Sequence, residues 1–238
     1  MRIAAMADLH FGKSSSGTLQ TLLSQITTDI DVLLVAGDIT DYGTVEEARA
    51  FVKELSSSVR IPVVAVLGNH DFEANAQQEI HQILVDQGIN VLDGDTCEVQ
   101  GVGFAGVKGF AGGFGRRALG PWGEPIIKQF VHEAVNEALK LESALARLRT
   151  EKTIVVLHYA PIEGTVEGEP REIYPYLGCS RLEEPLGRYK VTAVIHGHAH
   201  NGAAEGRAGA APVYNVSLPL MARVSPDLPV RVLTLDAA

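Results

Sequence analysis

Little in this chain is built for cross-linking. Its 238 residues hold two cysteines, Cys97 and Cys179, far apart in sequence. A disulfide framework needs more, so the expectation is two reduced thiols in a cytoplasmic protein. Long apolar runs are missing too. None approaches the roughly 18 residues a membrane helix requires, and no membrane partner is expected. Positive charge is scarce, with 20 Lys and Arg against 29 Asp and Glu, for a formal net charge of −9. Aromatic residues make up only 6%. Without a basic face or an aromatic platform, nucleic acid is not an expected partner. The sequence shows no repeats, linkers or low-complexity segments, and its length suits one domain spanning 1–238. Oligomeric state leaves no mark on it.

What the chain does have is a set of short buried strands ending in polar residues. It is 46% hydrophobic, enough for a sizeable core. The clearest stretch is Ile61–Phe72. A valine-rich apolar run between Pro62 and Gly68 reads as a buried strand, Gly68 permits a sharp turn, and Asn69, His70 and Asp71 follow. Four other strands close in the same way. Ile3–Ala7 runs into Asp8 and His10, and Val32–Ala36 into Gly37, Asp38 and Asp41. Ile154–Leu157 runs into His158, and Val191–Ile195 into His196, His198 and His200. In open α/β sheets, ligands sit beyond the carboxyl ends of strands. Five strands delivering Asp, His and Asn to one edge describe a metal site. Because Asp8 and His10 come so early, no cleaved leader is expected.

Helical spacing is predicted over Thr18–Thr28, from the Thr44–Glu47 capping box to about Leu55, over Ala74–Gln87 with Gly88 at C′, and over Glu124–Thr150. A second capping box, Ser180–Glu183, predicts a short helix closed by Gly187. Strands alternating with helices give an α/β layout, with Pro212–Ser217 and Val230–Leu235 predicted as strands of a second sheet. His81 and His132 read as ordinary helical residues. Glu98–Val107 reads as one strand interrupted by glycines. Its Gly101, Gly103 and Gly106 match dinucleotide-binding spacing, but no helix opens after them, so that reading is rejected. Two irregular stretches remain. Residues 106–123 read as a long mobile loop, either a surface excursion or a substrate-covering flap with Arg116 and Arg117 as candidates for phosphate contact. Residues 159–180 carry four glutamates against Arg171 alone and would repel a long polyanion.

Asp8 and His10 are two apart, as are His198 and His200, so each pair faces one side of an extended segment. Asp38, Asn69 and His158 complete the inventory. Carboxylate with imidazole suits Mn, Fe, Zn and similar ions. Seven protein ligands exceed the need of one catalytic ion with an open position and suit two ions. His196 reads as a structural neighbour of the ligands and Asp41 as a hydrogen-bonding loop residue.

The blocks Asp8-x-His10, Gly37-Asp38-x-x-Asp41, Gly68-Asn-His-Asp71, strand-end His158 and Gly197-His-x-His200 resemble those of the calcineurin-like metallophosphoesterases. All five family blocks occur in order between residues 8 and 200. The resemblance implies a four-layer α/β/β/α sandwich of two mixed sheets. It implies that Asp8, His10, Asp38 and His200 hold one metal, with Asp38 bridging, and that Asn69, His158 and His198 complete the other. It further implies attack by a metal-bridging hydroxide, with His70, oriented by Asp71, as the acid that assists the leaving group. Serine/threonine phosphatases of this superfamily carry an arginine after the second aspartate of the second block and a glutamate closing the third. Tyr42 and Asp71 stand there in this chain, a pattern similar to the bacterial phosphodiesterase-like branch. The expected substrate is therefore a small-molecule phosphodiester. The alternatives are a phosphomonoesterase or nuclease of the same fold, or a non-catalytic scaffold, which the full set of ligands disfavours.

Overall fold

The computed structural model describes residues 1–236 apart from 13, 14, 16 and 25–28. The first half alternates strands and helices: β1 (Arg2–Met6), α1 (Thr18–Ser24), β2 (Val32–Ala36), α2 (Val45–Ser58), β3 (Val63–Val66), α3 (Gln77–Asp86) and β4 (Asn90–Val91). β1 to β4 run parallel and adjacent, the arrangement that crossover helices impose. The second half contributes β5 (Asp95–Val99), β6 (Val102–Val107), α4 (Pro125–Arg147), β7 (Lys152–Leu157), α5 (Tyr174–Leu177), α6 (Glu183–Arg188) and β8 (Ala193–His196). β9 (Glu205–Ala208), β10 (Ala211–Asn215), α7 (Leu218–Val224) and β11 (Arg231–Thr234) follow. The sheets read β11-β1-β2-β3-β4 and β5-β6-β7-β8-β10-β9.

The pleat of each strand divides its side chains between two apolar layers. In β1 to β3, Met6, Val35 and Ala65 face Leu23, Phe51 and Leu84 of the first three helices. Their neighbours Ala5, Leu34 and Val64 face the other way, onto Phe104, Ile154 and Ile195 of the second sheet. The far side of that sheet, with Val155, Leu157 and Val194, packs on Leu141 and Leu145 of α4. Three apolar layers between four tiers of structure make the α/β/β/α sandwich that the family resemblance implies. Strands buried on both faces need continuous apolar runs, which explains their valine-rich sequences. Among the described residues, no helix is long and apolar enough to cross a membrane.

Several local readings need correction. Glu98–Val107 is the tip of a hairpin, not one strand. β5 and β6 pair antiparallel, and Gln100 and Gly101, with φ of 49° and 80°, form the tight turn. The glycine at 106 is explained by packing, since a Cβ there would lie 2.8 Å from Val66 of the other sheet. β11 joins the first sheet, antiparallel to β1, not the second. Gly187 lies inside α6, which is entered through a 3-10 turn at Ser180–Leu182 with no side-chain cap. Ser180 Oγ instead accepts from Gly115 N. α2 does begin on the Thr44–Glu47 capping box, and Gly88 follows α3 at φ 84°. The predicted end of the first helix falls on residues 25–28, outside the described ones.

The glycine-rich stretch is also tied down more than its composition suggests. Gly109 and Ala111 to Phe114 are buried. Gly112 N donates to Pro175 O, and Gly113 pairs with Cys179 across a bridge. The first part of this stretch therefore packs against the 159–180 loop, and the solvent-facing segment begins near Gly115.

Candidate metal centre

The carboxyl ends of β1, β2, β3, β7 and β8 meet along one edge of the sandwich. The chain leaving β1 follows the chain leaving β2: Asp8 N donates to Gly37 O, and His10 N to Asp38 O. This tight course bends the backbone into the left-handed region at Asp8 (φ 57°), His10 (42°) and Asp38 (48°), with His198 at 68°. Non-glycine residues there are strained, and such strain gathers at functional sites. All four are among the seven residues expected to bind metal.

The structure brings the seven together. Ligand atoms of Asp8, Asp38, His158 and His198 lie within 4.8 Å of one another, as do those of Asp8, His10 and His200, and those of His10, Asp38 and His70. Asn69 Oδ1 lies 2.9 Å from His158 Nε2, which joins it to the cluster. His200 Nε2 is 3.2 Å from Asp8 Oδ1, and His158 Nε2 is 3.3 Å from Asp38 Oδ1. Asp8 is thus shared between two groups, as Asp38 is. Both are nearly sealed from solvent, at 2% and 1% exposure.

Two buried carboxylates side by side need cationic partners. Within the protein, protons on the imidazoles fill that need. Burial alone would raise Asp38 and disfavour charge on His158. Their mutual attraction overrides this, holding Asp38 well below the usual carboxylate range and lifting His158 to about 9. Burial would likewise raise Asp8, but its hydrogen bond with His200 lowers it. His198 donates to Asp8 only through its backbone N, and its ring, with no carboxylate hydrogen bond among the described residues, is pushed by burial down to about 4.

The donor set fits transition-metal ions, and three further observations agree. His10 Nε2 is buried with no hydrogen-bond partner among the described residues; Asp38 Oδ2 is 3.8 Å away. Backbone carbonyls hold the far nitrogens of other rings, as metal-ligating histidines require. Ala36 O faces His158 Nδ1 at 3.0 Å, and Tyr176 O faces His198 Nε2 at 3.1 Å. Finally, the glycines before the ligands leave them room. A Cβ on Gly68 would lie 2.1 Å from Asp38 Oδ1, and one on Gly37, at φ 86°, 2.4 Å from His158 Nδ1.

His70 stands at the rim. Its ring packs edge-on against His10, centroids 4.4 Å apart. Nδ1 lies 2.7 Å from Asp41 O and 3.4 Å from Glu73 Oε1. Asp71 does not orient it, contrary to expectation. Asp71 is fully buried and accepts from Gly68 N (2.8 Å), Ile39 N (3.2 Å), Thr40 N (2.8 Å) and Thr40 Oγ1 (2.6 Å). It clamps the β2 loop to the β3 loop. Burial pushes its carboxyl up, against the pull of those donors. The groups that hold the His70 ring went unrecognised in the sequence. A backbone carbonyl has no sequence signature, though Glu73 at i+3 was a readable one.

His196 belongs to none of the candidate ligand groups among the described residues. It is buried, with Nε2 2.9 Å from Thr165 Oγ1 and Nδ1 2.8 Å from Gly197 O, and burial lowers it to about 4. Arg116 and Arg117 sit in an exposed turn, and no contact among the described residues joins their guanidinium groups to the cluster.

A cluster of two carboxylates, a carboxamide and imidazoles, gathered at the ends of strands from two packed sheets, defines a metal-dependent hydrolase site. Residues 1–202 match the family model for calcineurin-like phosphoesterases. The chain belongs to that family, a family of metal-dependent phosphoester hydrolases. It is 27% identical over 183 residues to the probable glycerophosphodiester phosphodiesterase GpdQ of Arcobacter nitrofigilis, covering 71% of this chain and 56% of that protein. The chain thus spans little more than half the length of that relative. It is 24% identical over 202 residues to a probable cyclic nucleotide phosphodiesterase of Vesicomyosocius okutanii, covering 83% and 75% of the two chains. In fold it is similar to the crystal structure of TT1561 of Thermus thermophilus, with a TM-score of 0.56, 15% identity and 98% of each chain covered.

Proposed function

We propose that this chain hydrolyses small-molecule phosphodiesters at a centre of two transition-metal ions such as Mn, Fe or Zn. Asp8, His10, Asp38, Asn69, His158, His198 and His200 would hold them, with Asp38 shared. The observation that carries the reading is the buried Asp8–Asp38 pair, ringed by imidazoles within 4.8 Å. Such ions polarise phosphoryl oxygens and activate water for in-line attack. Tyr42 and Asp71 at the two positions that distinguish the protein phosphatases favour a diester, as do the names of both relatives.

The chain's own residues supply the proton. Asp41 O accepts at His70 Nδ1, and Glu73 Oε1 lies beside it at 3.4 Å, so the ring is held from that side. In its doubly protonated form the ring would give the Nε2 proton to the departing alkoxide, with Asp71 acting only as a brace. A positioned acid of this kind contributes about 10²–10⁴ in rate.

The test is elemental analysis of the loaded protein together with hydrolysis of bis(4-nitrophenyl) phosphate in Mn²⁺. Two ions per chain are expected, with Asp38→Asn weakening both. No more than one ion in fully loaded protein would sink the dinuclear reading. Metal-replete protein inert toward the diester would sink the activity. Tight, salt-sensitive binding of duplex DNA would point to the nuclease alternative.

A further inference from the structure

α4 starts before the body of the protein reaches it. Its burial begins at Val131, and every residue from Pro121 to Gln129 faces solvent. Even so, Leu119, Trp122, Ile126 and Ile127 here are large and apolar, with Trp122 73% and Ile126 68% exposed. The Trp122 ring lies against Gly120 of its own turn, where an added Cβ would meet it at 2.2 Å. A helix end with nothing packed on it has little stability of its own. Apolar groups gathered on one projecting segment mark a contact surface.

The charges narrow what that surface meets. Residues 115–129 form an arm that carries Arg116, Arg117 and Lys128 against Glu124 alone. The arm is rooted in the 159–180 loop, since Gly112 N donates to Pro175 O and Gly115 N to Ser180 Oγ. That loop exposes Glu163, Glu167 and Glu172 against Arg171, together with Ile173 and Tyr176, the latter 63% exposed. Among the described residues, no ion pair engages any of these charged side chains. A net-positive arm and a net-negative loop, both with exposed apolar groups, thus lie side by side. An anionic membrane or a nucleic acid would attract the arm and be repelled by the loop. A second copy of this chain suits both. A two-fold axis sets the arm of one copy on the loop of the other and repeats the match.

We infer that the arm and the loop form a two-fold interface between two copies of this chain. Thirteen residues of the arm and eight of the loop are exposed, which matches the roughly 20–30 residues a side of a stable interface. Trp122 and Ile126 are its apolar anchors, facing Ile173 and Tyr176 of the partner subunit. Anchors of this kind carry most of an interface's binding energy, and the charges around them fix register and partner choice. The interface also reaches the metal cluster. Tyr176 O, which faces His198 Nε2 at 3.1 Å, lies in the covered loop, so the second copy would steady the segment that holds this ring.

Sedimentation equilibrium of the full metal-loaded chain tests this, and the expected species at micromolar concentration is a dimer. Trp122→Ser with Ile126→Ser should weaken it about a hundredfold or more. Arg116→Glu with Arg117→Glu should weaken it about tenfold or more, and so should the loop reversal Glu163→Lys with Glu172→Lys. Mixing the two reversed variants restores opposite charges in both halves of the interface, so a heterodimer of near wild-type affinity should form. Every substituted residue is exposed, and melts of the variants at monomeric dilution should match the wild type. A wild type that stays monomeric through the micromolar range would overturn the inference. So would a dimer indifferent to the arm substitutions, or reversed variants that do not recombine. Mass growing past the dimer would mark an open head-to-tail contact and refute the two-fold arrangement. Capture of the monomer on phosphatidylserine vesicles would assign the arm to a membrane instead.

Discussion

Replacing Asp71 by Asn separates a brace from a catalytic partner. Oδ1 accepts from Thr40 N and Thr40 Oγ1, and Oδ2 from Gly68 N and Ile39 N. Whichever oxygen becomes an amide nitrogen, two buried donors lose their acceptor and face another donor. Hydrogen bonds to a charged group contribute about 1.5–3 kcal/mol each, so the gross loss is about 3–6 kcal/mol. The neutral amide also removes the penalty of burying a charge, the effect that raises the Asp71 carboxyl, and this offsets part of the loss. A net cost of about 2–4 kcal/mol remains, a large share of a domain's roughly 5–15 kcal/mol. For a chain this long, the melting temperature should fall by about 5–15 °C. Because the clamp joins the loops carrying Asp38 and Asn69, metal retention should fall with it. The assay is a thermal melt of metal-free and metal-loaded protein, with metal content measured at each step. A variant that melts and holds metal like the wild type, yet loses rate only on esters with poor leaving groups, would refute the brace. It would return Asp71 to His70.

Three further outcomes follow from the same geometry. His70→Ala should keep its metals and fold but lose about 10²–10⁴ in rate on alkyl diesters and far less on nitrophenyl ones. Equal losses would make His70 a phosphate-positioning residue, and loss of one ion would make it a ligand. Gly68→Ala puts a Cβ 2.1 Å from Asp38 Oδ1 and 2.2 Å from Asp38 N, so Asp38 must shift. The expected result is a loss of about 1–3 kcal/mol, seen in the melt, and weaker metal binding, with unchanged metal content counting against it. Metal-free protein should be most stable near pH 6.5. The raised His158 contributes stability that is complete below 6.5 and lost as pH climbs through about 9. The depressed His196 and His198 contribute stability present above 6.5 and lost as pH falls toward about 4. Melts across that range check the optimum, and loading with metal should flatten the alkaline side.

Five of the seven candidate ligands directly follow an apolar strand or its closing glycine, and His10 and His200 come two residues after Asp8 and His198, which made the set readable as candidates. A buried strand fixes where its next residue must emerge. What escaped the sequence was mostly contact at a distance. Asp71 meets Thr40 across 31 residues, and the carbonyls of Asp41 and Tyr176 orient His70 and His198 without any side-chain signal. β11 has the alternation of a strand, but alternation does not say which sheet has an open edge, and that edge was beside β1. The Gln100–Gly101 turn was hidden because glycines within β6 blurred the break between two strands. Gly187 was read as a stop by composition, whereas in α6 a Cβ there would meet nothing within 4 Å.

The origin of the clustered residues has a mechanical consequence. Asp8, His10, Asp38 and Asn69 belong to the first sheet, and His158, His198 and His200 to the second. Any ion gripped by both sets is a rivet through the seam of the sandwich. Peeling the sheets apart would then require breaking coordination bonds as well as exposing Phe104 and Ile154, so metal supply would set how long the fold survives. Amide protons along β2 and β7, which border that seam, should exchange more slowly in loaded protein. Chelation should speed them together, as one cooperative opening.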